Sequence, residues 1–154
     1  MKHLMIGIDP DKDKSGIAIS NIKTKEIELY TLGFHDTITY LSARKDEIKE
    51  VVIEASWLVK KSSFRIKQEE TKEVSYLKGK HVGWNQGVGM CLEDMIKGMG
   101  IPYRLQRPLK LVWGKNCRSK ISHEEISRFV EFRRGASHIK TTNQEQRDAL
   151  LLIL

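Results

Sequence analysis

Short apolar runs along the chain predict the strands of a single sheet. Two early runs and a β-branched run near the middle, Val51-Val52-Ile53, have the length and composition of buried strands. Another segment alternates between apolar and polar positions, as a half-exposed strand does. The predicted strands are residues 3–9, 15–20, 26–32, 51–53 and 103–105.

Apolar residues at helical spacing, together with capping signals, predict the helices. Ser122 and Thr142 each stand three residues before a glutamate, which is the pattern of a capping box at the start of a helix. The predicted helices are residues 36–47, 85–99, 122–133 and a last one from 142 to the end of the chain.

The order of these elements predicts the fold class. Strands come first, and helices then alternate with the remaining strands, which is typical of a mixed α/β sheet with helices around it. We therefore expect one domain over residues 1–154, with a five-stranded sheet. Residues 59–80 are polar and rich in lysine, and predict a loop or a short helix.

Composition narrows the class of protein further. Apolar residues make up 40% of the chain and charged residues 31%, which is the balance of a soluble globular protein. The apolar runs are shorter than a membrane span, and the first residues lack the pattern of a signal peptide. Two distant cysteines and scattered histidines argue against a zinc site and favour the cytoplasm of a cell.

Positive charge is concentrated in the second half of the chain. The net charge is +7, and nine basic residues lie between Arg107 and Lys140 against three acidic ones. A solvated basic face is one interpretation. The other is a nucleic-acid-binding surface, because neutralising phosphates requires clustered lysine and arginine. Charge alone leaves both open.

Acidic residues stand where two buried strands end. Asp9 closes the first apolar run and Glu54 closes the central one. If these strands are neighbours, both carboxylates lie at one edge of the sheet. Glu145 and Asp148 are three residues apart and share one face of the last helix.

Each acid also has a structural interpretation. Asp9 fits an ordinary hairpin turn, and Glu54 fits an ion pair with a lysine. Glu145 fits the return arm of the capping box, and Asp148 fits a favourable charge in the first turn of a helix.

Convergence of the acids would require a positive partner. Several carboxylates at one place repel one another and raise their pKa values, unless a divalent cation lies between them. Oxygen ligands favour Mg²⁺ or Mn²⁺ over zinc. A pair of such ions can activate a water molecule and stabilise the leaving oxygen of a phosphodiester.

The chain resembles a known family in four segments. The hairpin IGIDPDKDKSGIAI, the strand VVIEASW, the stretch NQGVGMCLEDMIKGMGIPYRLQRPLK and the helix EQRDALLLIL are similar to segments of the RuvC-type Holliday junction resolvases, in the ribonuclease-H-like superfamily. They occur in the family's order and cover most of the chain. Compact versions of this kind occur in bacteriophages and prophages, which implies the cytoplasm of a bacterial or phage-infected cell.

The resemblance implies a ribonuclease-H-like fold and a set of functional residues. The implied catalytic residues are also the implied metal ligands, and they are Asp9, Glu54, Glu145 and Asp148. They would bind a pair of Mg²⁺ or Mn²⁺ ions. The implied DNA-binding residues are Trp57, Lys110, Lys115 and Lys120. Trp57 also fits a core position.

The implied activity is metal-dependent hydrolysis that nicks four-way or other branched DNA junctions. The resemblance implies neither a nucleotide cofactor nor a membrane as a partner.

Two features depart from the family. Asp11 replaces a glycine, and Glu145 replaces the more usual aspartate or histidine.

A homodimer is expected, because resolving a four-way junction requires two symmetric nicks. The candidate surface is the helix over residues 85–99. One stripe of this helix is expected to pack on the sheet, and the surplus apolar residues to lie outside it. The stripe is Val88, Leu92, Met95 and Met99, and the surplus residues are Met90, Cys91 and Ile96.

Three other classes share the fold. Actin-like ATPases need a second subdomain and Gly-rich loops, and neither is visible in this sequence. An inactive nucleic-acid-binding module has no reason to keep mutually repelling carboxylates. The sequence does not distinguish a nuclease for RNA or RNA–DNA hybrids from a nuclease for DNA junctions, so this class stays an alternative.

Overall fold

A mixed five-stranded sheet forms the centre of the molecule. The computed structural model describes residues 1–59, 69–130, 133, 134, 137, 138 and 141–154. The strands of the sheet are β1 (Leu4–Asp9), β2 (Ser15–Asn21), β3 (Ile27–Leu32), β4 (Ile48–Glu54) and β5 (Tyr103–Gln106), in the order β3-β2-β1-β4-β5. β1, β4 and β5 run parallel, and β2 is antiparallel to both β1 and β3. This order and these directions confirm the predicted α/β fold with a mixed five-stranded sheet.

Helices cover both faces of the sheet. They are α1 (Phe34–Ala43), α2 (Lys72–Gly98), α3 (His123–Ile126) and α4 (Gln144–Leu151), and a 3₁₀ turn at Ser56–Leu58 follows β4. A short antiparallel pair, β6 (Arg133–Arg134) and β7 (Ser137–His138), comes before α4. Within the described residues, no helix combines the length and the apolar character that crossing a membrane requires.

Helix α2 is much longer than predicted. It begins at Lys72 instead of residue 85, and the side chain of Thr71 caps it by accepting a hydrogen bond from the Val74 amide at 3.3 Å. Its first half presents exposed apolar residues, such as Tyr76 and Leu77, and does not face the sheet. This part of the helix has no face packed on the core, so nothing requires its apolar residues to recur at helical spacing. The sequence pattern therefore could not predict it. The rest of the predicted 59–80 segment, residues 60–68, lies outside the described residues.

Two other helix predictions were partly wrong. The capping box of Ser122 and Glu125 is present, but α3 ends at Ile126 instead of residue 133. In α2, Ile96 is fully buried although it was predicted as surplus surface, and Met95 is 42% exposed although it was assigned to the packed stripe. The buried residues of α2 are Gly89, Leu92 and Ile96, and Gly89 lets the helix come close to Trp57 and Pro10.

Apolar packing fills both sides of the sheet. On one side, Leu41 of α1 and Leu92 and Ile96 of α2 pack on the branched residues of β1, β2 and β4. On the other side, Ala149 and Leu150 of α4 join Ile121 and Ile126 in a smaller cluster. The central strands are therefore buried on both faces, which explains why their sequences are apolar throughout.

Two glycines let α4 lie directly on the sheet. A Cβ atom at Gly7 in β1 would stand 2.0 Å from the carbonyl oxygen of Ala149. A Cβ atom at Gly16 in β2 would stand 2.1 Å from the carbonyl oxygen of Glu145. Both obstacles are helix backbone, which cannot move aside as a flexible side chain can. These contacts set where α4 begins relative to the ends of β1 and β2.

We predict that Gly7→Ala destabilises the protein by about 1–3 kcal/mol, the usual cost of forcing an extra methyl into a packed interior. Gly98→Ala is the matched control, because nothing lies within 4 Å of the Cβ position there and the residue is the last of α2. The control should be at least as stable as the wild type, since alanine suits a helix better than glycine. Urea unfolding measures both, and equal stabilities for the two variants would contradict the close contact.

Candidate active site

Two parallel strands bring two acidic residues to the same edge of the sheet. β1 ends at Asp9 and β4 ends at Glu54, and the register pairs Ile8 with Ile53 just before them. Parallel strands place their carboxyl ends together, which is where sites form in α/β sheets. The condition set by the sequence analysis, that these strands be neighbours, is confirmed.

Helix α4 brings the other acids to this edge. Gly16 is the register partner of Asp9, and the backbone and Cβ of Glu145 lie against it. Asp148 lies one turn further along the helix, next to Ala149, which packs over Gly7. The glycine contacts therefore decide that this helix starts beside the carboxylate of Asp9.

Glu145 does not take part in capping α4, which was its structural interpretation. The N-cap of α4 is Asn143, not Thr142, and the return arm of the capping box is Gln146. Asn143 and Gln146 also donate hydrogen bonds to the Thr31 hydroxyl in β3, at 2.9 and 3.3 Å. The side chain of Glu145 is therefore available for another function.

The pKa values confirm that the acids act on one another. Burial, followed by the negative charges of Glu54 and Asp148, raises the pKa of Asp9 from 3.8 to about 8. Glu145 acts in the same direction, and the ammonium group of Lys120 in the opposite one. Burial and the charge of Asp148 also raise the pKa of Glu54. Without a positive partner, this edge of the sheet disfavours ionised carboxylates.

Lys120 supplies positive charge to the acids. Its Nζ donates a hydrogen bond to Oδ2 of Asp148 at 2.6 Å, and Nε2 of Gln144 donates to Oδ1 at 2.7 Å. Burial lowers the pKa of Lys120, but this bond and the charges of Asp148, Asp9 and Glu54 outweigh burial and raise it. Lys120 is therefore a cation in this structure and offsets part of the repulsion.

The donor set suits a hard divalent cation, although its oxygens are not gathered around one point. Carboxylates alone favour Mg²⁺ or Mn²⁺. Within the described residues, no three histidine, cysteine, aspartate or glutamate side chains form a ready-made ligand set. In this structure both oxygens of Asp148 accept hydrogen bonds, from Lys120 and Gln144. The chemistry of the four carboxylates fits such an ion, and they would have to move closer together to bind it.

A cleft beside the acids contains several of the other predicted residues. Its lining includes Glu54, Asp148, Lys110 and Lys120, together with Trp113, which the sequence analysis did not single out. Trp113 packs edge-on against Phe129, with ring centroids 5.8 Å apart. Trp113 also pairs with Ser119 and packs on the core cluster that contains Ala149 and Leu150. These are tertiary contacts, and no local sequence motif indicates them.

The remaining two predicted DNA-binding residues are not among those that line the cleft. Lys115 is exposed in the turn enclosed by the bridge between Trp113 and Ser119. Trp57 is half-buried in the 3₁₀ turn after β4 and packs against the core and Gly89. The structure therefore favours the packing interpretation of Trp57, and its contact with DNA stays a prediction.

Comparison with known proteins gives structural similarity alone. No protein-family model matches the chain, and no curated protein matches it. Two solved structures of Thermus thermophilus RuvC, one of them in complex with a Holliday junction substrate, are similar at 16% identity and a TM-score of 0.43. The matches cover 97% of this chain and 89% and 90% of the RuvC chains. Similarity at this level says nothing about the activity of this chain.

We predict that the metal-free protein loses stability as the pH rises from about 4 to about 8. Asp9 has a higher pKa in the folded than in the unfolded state, so the folded state holds its proton more tightly across this window, and stability falls as the proton leaves. Asp9→Asn removes this contribution. At pH 8 the variant should exceed the wild type by more than about 1.4 kcal/mol, the equivalent of one pKa unit.

Urea unfolding in the presence of EDTA, at several pH values, measures this difference. At about pH 3 the two proteins should differ least, because this pH lies below the pKa of Asp9 in both states of the wild type, and Asp9 is then largely protonated in both. A constant difference between variant and wild type at every pH would show that Asp9 does not titrate in this way.

Proposed function

We propose that the protein is a divalent-metal-dependent endonuclease that nicks branched DNA, including four-way junctions, by phosphodiester hydrolysis. The observation that carries this proposal is the environment of Asp9. A buried carboxylate, surrounded by three further acids at the end of a sheet, has its pKa raised to about 8. Strongly perturbed carboxylates in a cleft are typical of functional sites.

The proposed roles follow from position. Asp9, Glu54, Glu145 and Asp148 would hold Mg²⁺ or Mn²⁺, and these ions would supply Lewis-acid activation of a water and stabilisation of the leaving oxygen. The carboxylates of this chain must be ionised for that role. Burial and mutual repulsion oppose ionisation, so the metal is expected to supply the positive charge that ionisation requires at this edge.

The basic residues explain how a phosphate backbone reaches the acids. Lys110 and Lys120 line the same cleft as Glu54 and Asp148. Arg107, Lys115 and Arg118 are exposed on the same segment of the chain. A strongly acidic site repels DNA unless cations surround it, and these residues provide them. In this proposal Lys120 exchanges its bond with Asp148 for a phosphate of the substrate.

A homodimer is part of the proposal, with α2 as the interface. Phe34 of α1 and Trp84, Val88 and Cys91 of α2 line an apolar groove, which also includes Gly83 and Gly87. Met95, one turn beyond Cys91, extends this surface and is 42% exposed. A second copy would cover apolar area that monomers keep small.

The first prediction from this proposal concerns cleavage. The wild type with Mg²⁺ or Mn²⁺ should nick a labelled four-way junction in preference to plain duplex. Asp9→Asn should lower the rate by more than about 100-fold, beyond the range typical of residues that only support metal ligands. Junction binding should persist, because phosphate contacts come from lysine and arginine.

Asp46→Asn is the matched control, because Asp46 is an exposed acid at the opposite end of β4. It should leave cleavage unchanged. A wild type that binds junctions and cuts nothing with either metal would identify an inactive binding module. Faster cutting of RNA or RNA–DNA hybrids would identify a nuclease for those substrates.

The second prediction concerns assembly. Light scattering at micromolar concentration should give a mass near twice 17.8 kDa. Cys91→Glu places a charge in the apolar groove and should shift the mass to that of the monomer. Lys97→Glu, on an exposed part of the same helix, should not. A wild type that is monomeric both alone and on a junction would reduce the proposal to a nicking nuclease.

A further inference from the structure

The loop that follows Asp9 is attached to helix α2 by one amide side chain. Oδ1 of Asn85 accepts a hydrogen bond from the backbone N–H of Lys12 at 2.9 Å. Nδ2 of the same residue donates to Oδ2 of Asp11 at 3.2 Å. Asn85 thus binds two consecutive residues of the loop, one through its acceptor and one through its donor.

The carboxylate of Asp11 also organises the loop itself. Its Oδ1 accepts a hydrogen bond from the Asp13 amide at 2.9 Å. The backbone N–H of Asp11 donates to the hydroxyl of Ser15 at 3.2 Å, and Ser15 is buried at the start of β2. Asp11 is not among the charges that shift the pKa of Asp9. Its carboxylate faces α2 instead of the acids, which explains why an additional acid is tolerated beside them.

A second contact occurs one helical turn after Asn85. A Cβ atom at Gly89 would lie 2.3 Å from the ring of Trp57 and 3.2 Å from the ring of Pro10. Pro10 directly follows Asp9, and Trp57 lies in the 3₁₀ turn after Glu54. Residues four apart share one face of a helix. One face of α2 therefore touches both segments that leave the acid-bearing strands.

We propose that Asn85 is a positioning residue that holds the carboxylate of Asp9 in place through Asp11 and Lys12. This inference rests on the proposed function of the acidic site. An amide is required because position 85 must both accept from an N–H and donate to a carboxylate. Asp9 is the last residue of β1, so the loop that follows it sets the course of the chain immediately after its carboxylate, and Asn85 fixes this loop. Groups that orient metal ligands in this way typically change affinity or activity 10–100-fold when lost.

The experiment exchanges donor and acceptor between the two side chains. Asn85→Asp removes the donor and sets a carboxylate against Asp11, while the Lys12 N–H keeps its acceptor. Combining it with Asp11→Asn returns one donor and one acceptor to the contact. Asn85→Asp should lower Mn²⁺ affinity, measured by calorimetry, and kcat on a four-way junction by about 10–100-fold. KM for the junction should stay unchanged, and the double variant should recover most of both losses.

Gln86→Glu is the matched control, because it adds the same charge to the same helical turn outside this contact. It should behave as the wild type. Asn85→Ala, which suits a helix, is the second variant if Asn85→Asp does not fold, and the same losses are expected from it. Melting temperatures show which variants are folded.

The outcomes separate this inference from the proposed function. If the wild type binds Mn²⁺ and cuts, but folded Asn85 variants match it in affinity and kcat, Asn85 positions nothing. Failure of the double variant to recover would also overturn the route through Asp11. If the wild type neither binds Mn²⁺ nor cuts, the proposed function is refuted, and the role of Asn85 with it.

Discussion

Repulsion between carboxylates at one partly buried edge of the sheet is the constraint on which the rest of the structure depends. The packing of β1 and β4 does not require acidic residues at their ends, and neutral ones would complete these strands at lower cost. Instead burial and neighbouring charges raise the pKa of Asp9 to about 8. Proteins keep such unfavourable arrangements chiefly at functional sites. This arrangement is the reason for proposing a site that a cation completes.

The metal-free structure offsets this repulsion with its own cation. Lys120 bonds to Asp148, and its charge also lowers the pKa values of Asp9 and Glu54. In the proposed activity a metal ion would take over this neutralising role, and Lys120 would then be available to a phosphate of the substrate.

Close backbone approach is the second requirement of the site. Gly7 and Gly16 let α4 lie against β1 and β2, and Gly89 lets α2 approach the turns that follow both acid-bearing strands. Side chains at these positions would push the helices outward and separate the acids that they carry or support. The site is thus held from two sides, by α4 above the sheet edge and by α2 through Asn85.

By itself the sequence determined the strands and the two acids at their ends, because burial on both faces leaves continuous apolar runs that end abruptly at charges. Glu145 and Asp148 followed from their spacing of three residues on the last helix. It did not determine the first half of α2, which has no core-facing stripe to produce a period. Nor did it decide which capping box opens α4, since Thr142 with Glu145 and Asn143 with Gln146 both fit the local pattern. Hydrogen bonds from Asn143 and Gln146 to Thr31 decided between them and left Glu145 free for the site. Only tertiary structure could make that choice, because Thr31 lies far away in the chain and meets α4 only when the sheet has formed.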